Sequence, residues 1–200
     1  GRHHLQMQPE SSYDLITLEP PPIVHAGVAA LYSTEFYQLA RMRLKPKGYM
    51  SQWLPAYGVP QSMILSMIRS FIDVFPNTVL LSGASANFLL IGSTDAYVRI
   101  DPTRLAGALA RAPAVQADLR RLDLGSLREI VGMFAGSTHT LARAARDAAP
   151  VTDDRPIQEY GKRSLLESDE GFPPSIVDGR DIASWCPTCF VDGRPVPLVD

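Results

Sequence analysis

The chain has 200 residues, 46% of them hydrophobic, which suits one globular domain or one domain with a tail. Charged residues make up 20%, and the formal net charge of −2 argues against a nucleic-acid-binding protein. No apolar run approaches the roughly 18 residues that cross a bilayer, and the first residues lack the apolar core of a signal peptide. Two cysteines are too few for a disulfide scaffold, so we expect a reducing, cytoplasmic compartment.

The first predicted element is a short apolar strand, residues 13–19, that ends in the carboxylate of Glu19. Three prolines, Pro20 to Pro22, follow at once and fix the backbone of the loop. In open α/β sheets, ligands bind just outside the carboxyl ends of the strands. Glu19 is therefore a candidate base or orienting acid in a transferase pocket, and the alternative is a solvated carboxylate at a strand end.

The next elements alternate between helix and strand. A helix is predicted from Ser33, a strand at residues 49–54, and a second helix that begins at Pro60 and ends near Phe75. Two short strands around Gly83-Ala84-Ser85 indicate an antiparallel hairpin. This order predicts an α/β fold with a parallel sheet and an antiparallel end. The second helix should bury an apolar stripe formed by Ile64, Met67, Ile68, Phe71 and Ile72.

The remaining residues have a different character. Asp101 and Pro102 begin a helix, and a capping box at Ser126 to Glu129 begins another that carries Phe134. We therefore divide the chain into a Rossmann-type region at residues 1–100, a small helical subdomain at 101–150 and an extended Pro-rich tail at 151–200.

Other residues are candidates for a site. Gln52 and Trp53 end the second strand at the same sheet edge as Glu19, where they would line a substrate pocket, although core packing explains Trp53 equally well. Asp153-Asp154-Arg155 is a candidate metal or amine site, although an acidic pair beside an arginine is more often a surface loop or a local ion pair. Cys186 and Cys189 form a single Cys-x-x-Cys pair, which is too few ligands for zinc and is followed by a turn, so neither a metal nor a redox function is favoured.

Short motifs along residues 1–160 follow one another in an order and spacing that resemble one family. The family is the spermidine synthase-like (polyamine biosynthesis) family, and the match is closest to the branch often fused to a membrane transporter-like segment. The motifs are Tyr13-Asp14-Leu15-Ile16, Glu19-Pro20-Pro21, Ala26-Gly27-Val28, Leu31 to Tyr37, Leu44 to Gly48, Ser51-Gln52-Trp53-Leu54, Phe75-Pro76, Leu89 to Gly92, Thr152 to Pro156 and Glu159-Tyr160.

The resemblance implies a Rossmann-like methyltransferase fold and transfer of an aminopropyl group from decarboxylated S-adenosylmethionine to a polyamine. Decarboxylated S-adenosylmethionine, or S-adenosylmethionine, is the implied co-substrate, and no metal is implied. Gly1 is similar to the glycine of an Asp-Gly pair near the adenine, and Pro20 joins it as a cofactor-binding candidate. Glu19 takes the place of the family's proton acceptor, whereas Pro22 replaces the second aspartate of the loop.

Two functions are compatible with this reading. The first is part of an S-adenosylmethionine-type transferase that acts on a small-molecule amine, with its glycine-rich nucleotide turn upstream of Gly1. The second is a catalytically degenerate interaction module whose sheet edge pairs with another chain, because a strand without its neighbour exposes unpaired backbone groups. The expected partners are a second copy, as a homodimer, or the N-terminal half of the domain, with a fused membrane segment outside this chain.

Overall fold

The computed structural model describes residues 1–21, 23, 25–55, 58–83, 87–95, 97–157 and 172–198. Three of the sequence predictions concern residues outside these ranges. They are the replacement of an aspartate by Pro22, the turn at Ala84-Ser85 and the motif Glu159-Tyr160.

From β1 to β4 the helices and strands follow one another in the order that the sequence predicts, whereas α1 was not predicted. The helices are α1 (Arg2–Met7), α2 (Thr34–Arg43), α3 (Gln61–Val74), α4 (Pro102–Arg111), α5 (Pro113–Arg120), α6 (Leu127–Gly132), α7 (Thr138–Ala144) and α8 (Ile182–Trp185). The strands are β1 (Tyr13–Leu18), β2 (Leu44–Leu54), β3 (Thr78–Ser82), β4 (Phe88–Ser93), β5 (Phe134–Ser137), β6 (Phe190–Val191) and β7 (Arg194–Pro195). Short 3₁₀ turns lie at Ala29–Leu31, Pro174–Ile176, Gly179–Asp181 and Pro187–Cys189.

The main sheet has five strands in the order β1-β2-β4-β3-β5. Strands β1 and β2 are parallel, with Leu18 opposite Gln52, and the other three pairings are antiparallel. The predicted parallel pair and the predicted hairpin of β3 and β4 are both confirmed. The fold is a mixed α/β sheet with helices on its faces, consistent with a Rossmann-like methyltransferase-type fold.

Helices α2 and α3 cover one face of the sheet and form the larger core with it. The Ser33 side chain caps α2 by accepting a hydrogen bond of 3.2 Å from the backbone N–H of Phe36. In α3 the predicted apolar stripe is buried, since four of its five side chains have no exposed surface and Ile72 is 8% exposed. Each such side chain stabilises the fold by about 1.5–3 kcal/mol through burial.

Phe134 lies in β5, so its assignment to a helix was wrong. The capping box at Ser126 and Glu129 does start α6, but that helix ends at Gly132 and the following residues pair with β3. A Cβ atom on Gly136 would lie 2.6 Å from the backbone oxygen of Ile176, so the chain there passes closer than any side chain permits. The segment predicted as a helical subdomain therefore contributes a strand to the main sheet.

The Pro-rich segment at 172–198 packs against the second face of the sheet. Trp185, Cys186 and Cys189 are buried there in a smaller core with side chains of β3 and β5. The two cysteines are joined in a disulfide. Composition argues against a scaffold held by many disulfides, but it does not exclude one bond between cysteines three residues apart. The surface on which this Pro-rich segment packs belongs to the chain itself.

Candidate functional site

The carboxyl ends of β1 and β2 lie side by side, because Leu18 is paired with Gln52. Glu19 follows β1 at this end of the sheet and its side chain is exposed, whereas the next residue, Pro20, is buried. A rigid buried proline directly after the carboxylate limits the backbone freedom of this position. The exposed carboxylate of Glu19 thus lies at the carboxyl end of the parallel strands, where ligands bind in open α/β sheets.

Gln52 is fully buried and makes hydrogen bonds within the core. The hydroxyl of Tyr37 donates to Gln52 Oε1 at 3.2 Å, and Gln52 Nε2 donates to the backbone oxygen of Trp53 at 3.0 Å. The hydroxyl of Tyr32 donates to the same backbone oxygen at 3.4 Å. Burial raises the pKa of both tyrosines well above the ordinary value, so both remain neutral donors. These buried hydrogen bonds hold the carboxyl end of β2 in place.

The sequence prediction did not include Tyr32 and Tyr37. The sequence did contain a signal for them, because Tyr32 lies just before α2 and Tyr37 lies in its first turn, and the buried face of α2 is otherwise apolar. A buried tyrosine hydroxyl needs a hydrogen-bond partner, and Gln52 is a polar residue between apolar neighbours of β2.

Trp53 leaves the sheet on the face opposite to Gln52, because successive side chains of a strand alternate. Its ring is half-buried, and Nε1 donates to Asn87 Oδ1 at 3.0 Å. Glu19, Gln52 and Trp53 are thus at one end of the sheet, but the Gln52 and Trp53 side chains do not meet. Their roles in substrate binding stay predictions.

Gly1 is exposed and precedes α1, where its carbonyl accepts a hydrogen bond of 3.1 Å from the backbone N–H of Leu5. Arg2 Nη1 donates to the backbone oxygen of Ala30 at 3.1 Å and so connects α1 to the turn before α2. The cofactor-binding roles of Gly1 and Pro20 stay predictions. The described residues contain no group of three or more His, Cys, Asp or Glu side chains that would hold a metal ion.

Asp153 links the far end of the chain to the start of α2. Its carboxylate accepts hydrogen bonds from the guanidinium of Arg2, one of them 2.7 Å, and from the Ser33 hydroxyl at 2.7 Å. Its backbone N–H donates to Glu35 Oε2 at 3.0 Å. The Arg2 guanidinium holds the pKa of the Asp153 carboxyl below its ordinary value. The ion pair that the structure shows for Asp153 is thus with Arg2, 151 residues away, and not the local pair within Asp153-Asp154-Arg155 that the sequence predicted.

Comparison with solved structures supports the fold. The chain is similar to a probable spermidine synthase from Corynebacterium glutamicum ATCC 13032, with a TM-score of 0.50 and 15% identity over 76% of this chain and 51% of that one. A spermidine synthase from Thermotoga maritima matches at a TM-score of 0.37 and 15% identity over 84% of this chain and 48% of that one, a similarity too weak to support an argument.

The chain thus spans about half the length of both solved structures. Neither a family model nor a curated protein matches its sequence. The chain has a spermidine synthase-like fold. No helix in the described ranges has both the length and the apolar character of a membrane span.

Proposed function

We propose that this chain forms the acceptor side of a spermidine synthase-like transferase, which moves an alkyl group from decarboxylated S-adenosylmethionine, or S-adenosylmethionine, to a small amine. The observation that carries the proposal is the exposed carboxylate of Glu19 at the carboxyl end of the parallel pair β1 and β2. The similarity to a probable spermidine synthase supports the fold, and in open α/β folds ligands bind at the carboxyl ends of the strands. We expect the protein to act in the cytoplasm.

The chemistry assigns one task to Glu19. The co-substrate supplies an alkyl carbon bound to a sulfonium, and the C–S bond breaks with its electron pair left on sulfur. The amine nitrogen forms the new C–N bond and must lose a proton. The Glu19 carboxylate accepts that proton and also attracts an ammonium group of the acceptor. The buried network of Tyr32, Tyr37 and Gln52 keeps the end of β2 in place beside it.

The test replaces Glu19 in the whole protein that contains this chain, with labelled decarboxylated S-adenosylmethionine as donor and a diamine as acceptor. Glu19→Gln should lower kcat about 100-fold or more, while KM for the sulfonium donor changes little. Glu19→Asp should retain activity because, unlike Glu19→Gln, it keeps a carboxylate that can accept the proton. The matched control is Glu10→Gln, since Glu10 is also exposed and precedes β1. Undiminished turnover in Glu19→Gln would remove Glu19 from the mechanism.

The second candidate is a catalytically degenerate interaction module, and the edge of β1 favours it. In the part of the chain that the structure describes, β1 pairs on one side only, with β2, and the Leu15 side chain is 57% exposed. Unpaired strand edges recruit other strands. A second copy of this chain is the partner that we propose for this alternative.

Two measurements separate the candidates. Because the glycine-rich nucleotide turn is expected upstream of Gly1, calorimetric titration uses the whole protein that contains this chain, with S-adenosylmethionine, its decarboxylated form and methylthioadenosine. Light scattering gives the mass of the 200-residue chain in solution. Binding of a nucleoside by the whole protein at micromolar concentration supports the transferase. No binding by the whole protein, together with a dimer of the 200-residue chain that Leu15→Lys converts to a monomer, supports the interaction module.

A further inference from the structure

Residues 97–128 form a basic region in an otherwise acidic chain. They contain six arginines and three aspartates, whereas the formal net charge of the whole chain is −2. Arg121 pairs with Asp118, with 3.0 Å between Nη1 and Oδ1. Arg104 and Arg111, both on α4, are exposed and have no ion-pair partner in the described ranges. Within the described ranges, no carboxylate therefore competes with an outside anion for these two guanidinium groups.

Arg99, Arg104 and Arg111 line one open groove of about 510 Å³, which we call the arginine groove. Arg104 and Arg111 are seven residues apart and so lie on the same face of α4. A Cβ atom on Gly107 would lie 3.3 Å from Arg111 Nη1, so this guanidinium lies over a position that has no side chain. Gly107 thus lets the Arg111 guanidinium lie close to the helix surface.

The other charged groups of the groove are already engaged. The Arg99 guanidinium lies over the ring of Tyr97, 4.1 Å from its centroid, a cation–π contact that restrains it without neutralising its charge. Asp101 Oδ1 caps α4 by accepting hydrogen bonds from the backbone N–H groups of Thr103 at 2.9 Å and Arg104 at 3.2 Å. The helix N-terminus is thus occupied, and attraction for an anion comes from the three guanidiniums.

We propose that the arginine groove binds a phosphate group carried by a small molecule or a lipid headgroup. Arginine is the side chain best suited to phosphate, because its planar donors form paired hydrogen bonds with two oxygens. A phosphate monoester carries about −1.5 to −2 charges near neutral pH, which matches three guanidiniums offset by one carboxylate. The groove exceeds the size of an inorganic ion, and Ile100 and Leu105 add apolar lining for the group that bears the phosphate. The proposal does not depend on the transferase function.

The test titrates the full 200-residue chain with inorganic pyrophosphate in a calorimeter. The variant Arg104→Gln, Arg111→Gln should bind at least about tenfold more weakly, since it removes two of the three charges. Both side chains are exposed and unpaired in the described ranges, so the fold should persist, and circular dichroism checks this. The matched control is Arg121→Gln, which removes an exposed arginine outside the groove and should bind like the unchanged chain.

Co-sedimentation with vesicles identifies the source of the phosphate. Binding to phosphatidylcholine vesicles that contain phosphatidic acid, lost in the double variant and absent with pure phosphatidylcholine, assigns a lipid headgroup. Binding of pyrophosphate alone, with the same loss, assigns a soluble ligand. The proposal is overturned if neither probe binds, or if the double variant and Arg121→Gln bind equally well.

Discussion

Helices α3 and α5 both have a proline at their start, since Pro60 is the N-cap of α3 and Pro113 is the first residue of α5, yet their surroundings differ completely. Of the fourteen residues of α3, nine are buried, whereas none of the eight residues of α5 is buried. Helix α3 packs against α2, β4 and α7, so its sequence is constrained by a core. Helix α5 is held mainly by its own backbone and by α4. The region around α4 and α5 can therefore carry arginines that have no ion-pair partner among the described residues, which a core would exclude.

The largest effect is expected in α3, where Phe71 has no exposed surface. Its ring lies edge-on to Tyr37 at 5.0 Å and beside Phe75 at 5.1 Å, and a Cβ atom on Gly92 would lie 2.8 Å from it. Phe71→Ala should lower the free energy of unfolding by about 3–5 kcal/mol through the cavity it leaves. Urea denaturation followed by circular dichroism measures this. A loss below about 1 kcal/mol would mean that α3 is not the centre of the core.

An intermediate effect on stability is expected where residues 151–157 make hydrogen bonds to the start of α2. Asp153→Asn should lower the free energy of unfolding by about 1 kcal/mol, a value reduced for partial exposure to solvent. The folded-state pKa of Asp153 is depressed, so its contribution is present above the unfolded pKa near 4 and is lost as pH falls through the folded value. The difference between the two proteins should therefore shrink below about pH 4.

Asp154→Asn is the matched control for that measurement, because Asp154 is the exposed neighbour. Its effect should be small at every pH. A difference between Asp153→Asn and the unchanged chain that stays constant from pH 7 to about pH 2 would contradict the role of the carboxylate.

The smallest effect is expected in α5. The Val115 side chain is 53% exposed, so Val115→Ala should change the free energy of unfolding by less than about 0.5 kcal/mol. The same urea experiment compares it directly with Phe71→Ala. A loss above about 1.5 kcal/mol would show that α5 is covered in solution, and light scattering would then identify a second copy as the cover.

Part of the candidate site was predictable from local sequence. The position of Glu19 follows from one apolar strand and the prolines after it. The opposite directions of the Gln52 and Trp53 side chains also follow from sequence, since adjacent strand residues alternate. The partners of Asp153 were not predictable, because Arg2 and Ser33 lie more than a hundred residues away in the chain.

The sequence by itself determined the elements whose signals are local. These are the strands β1 and β2 with a helix between them, the hairpin of β3 and β4, the buried stripe of α3 and the caps at Ser33, Asp101 and Ser126. Each follows from residues within one element or from the order of neighbouring elements in the chain. Only the tertiary structure decided that Phe134 lies in a strand, because β5 exists through its pairing with β3. It likewise decided that residues 172–198 cover the second face, since burial of Trp185 needs a surface that no local pattern reveals.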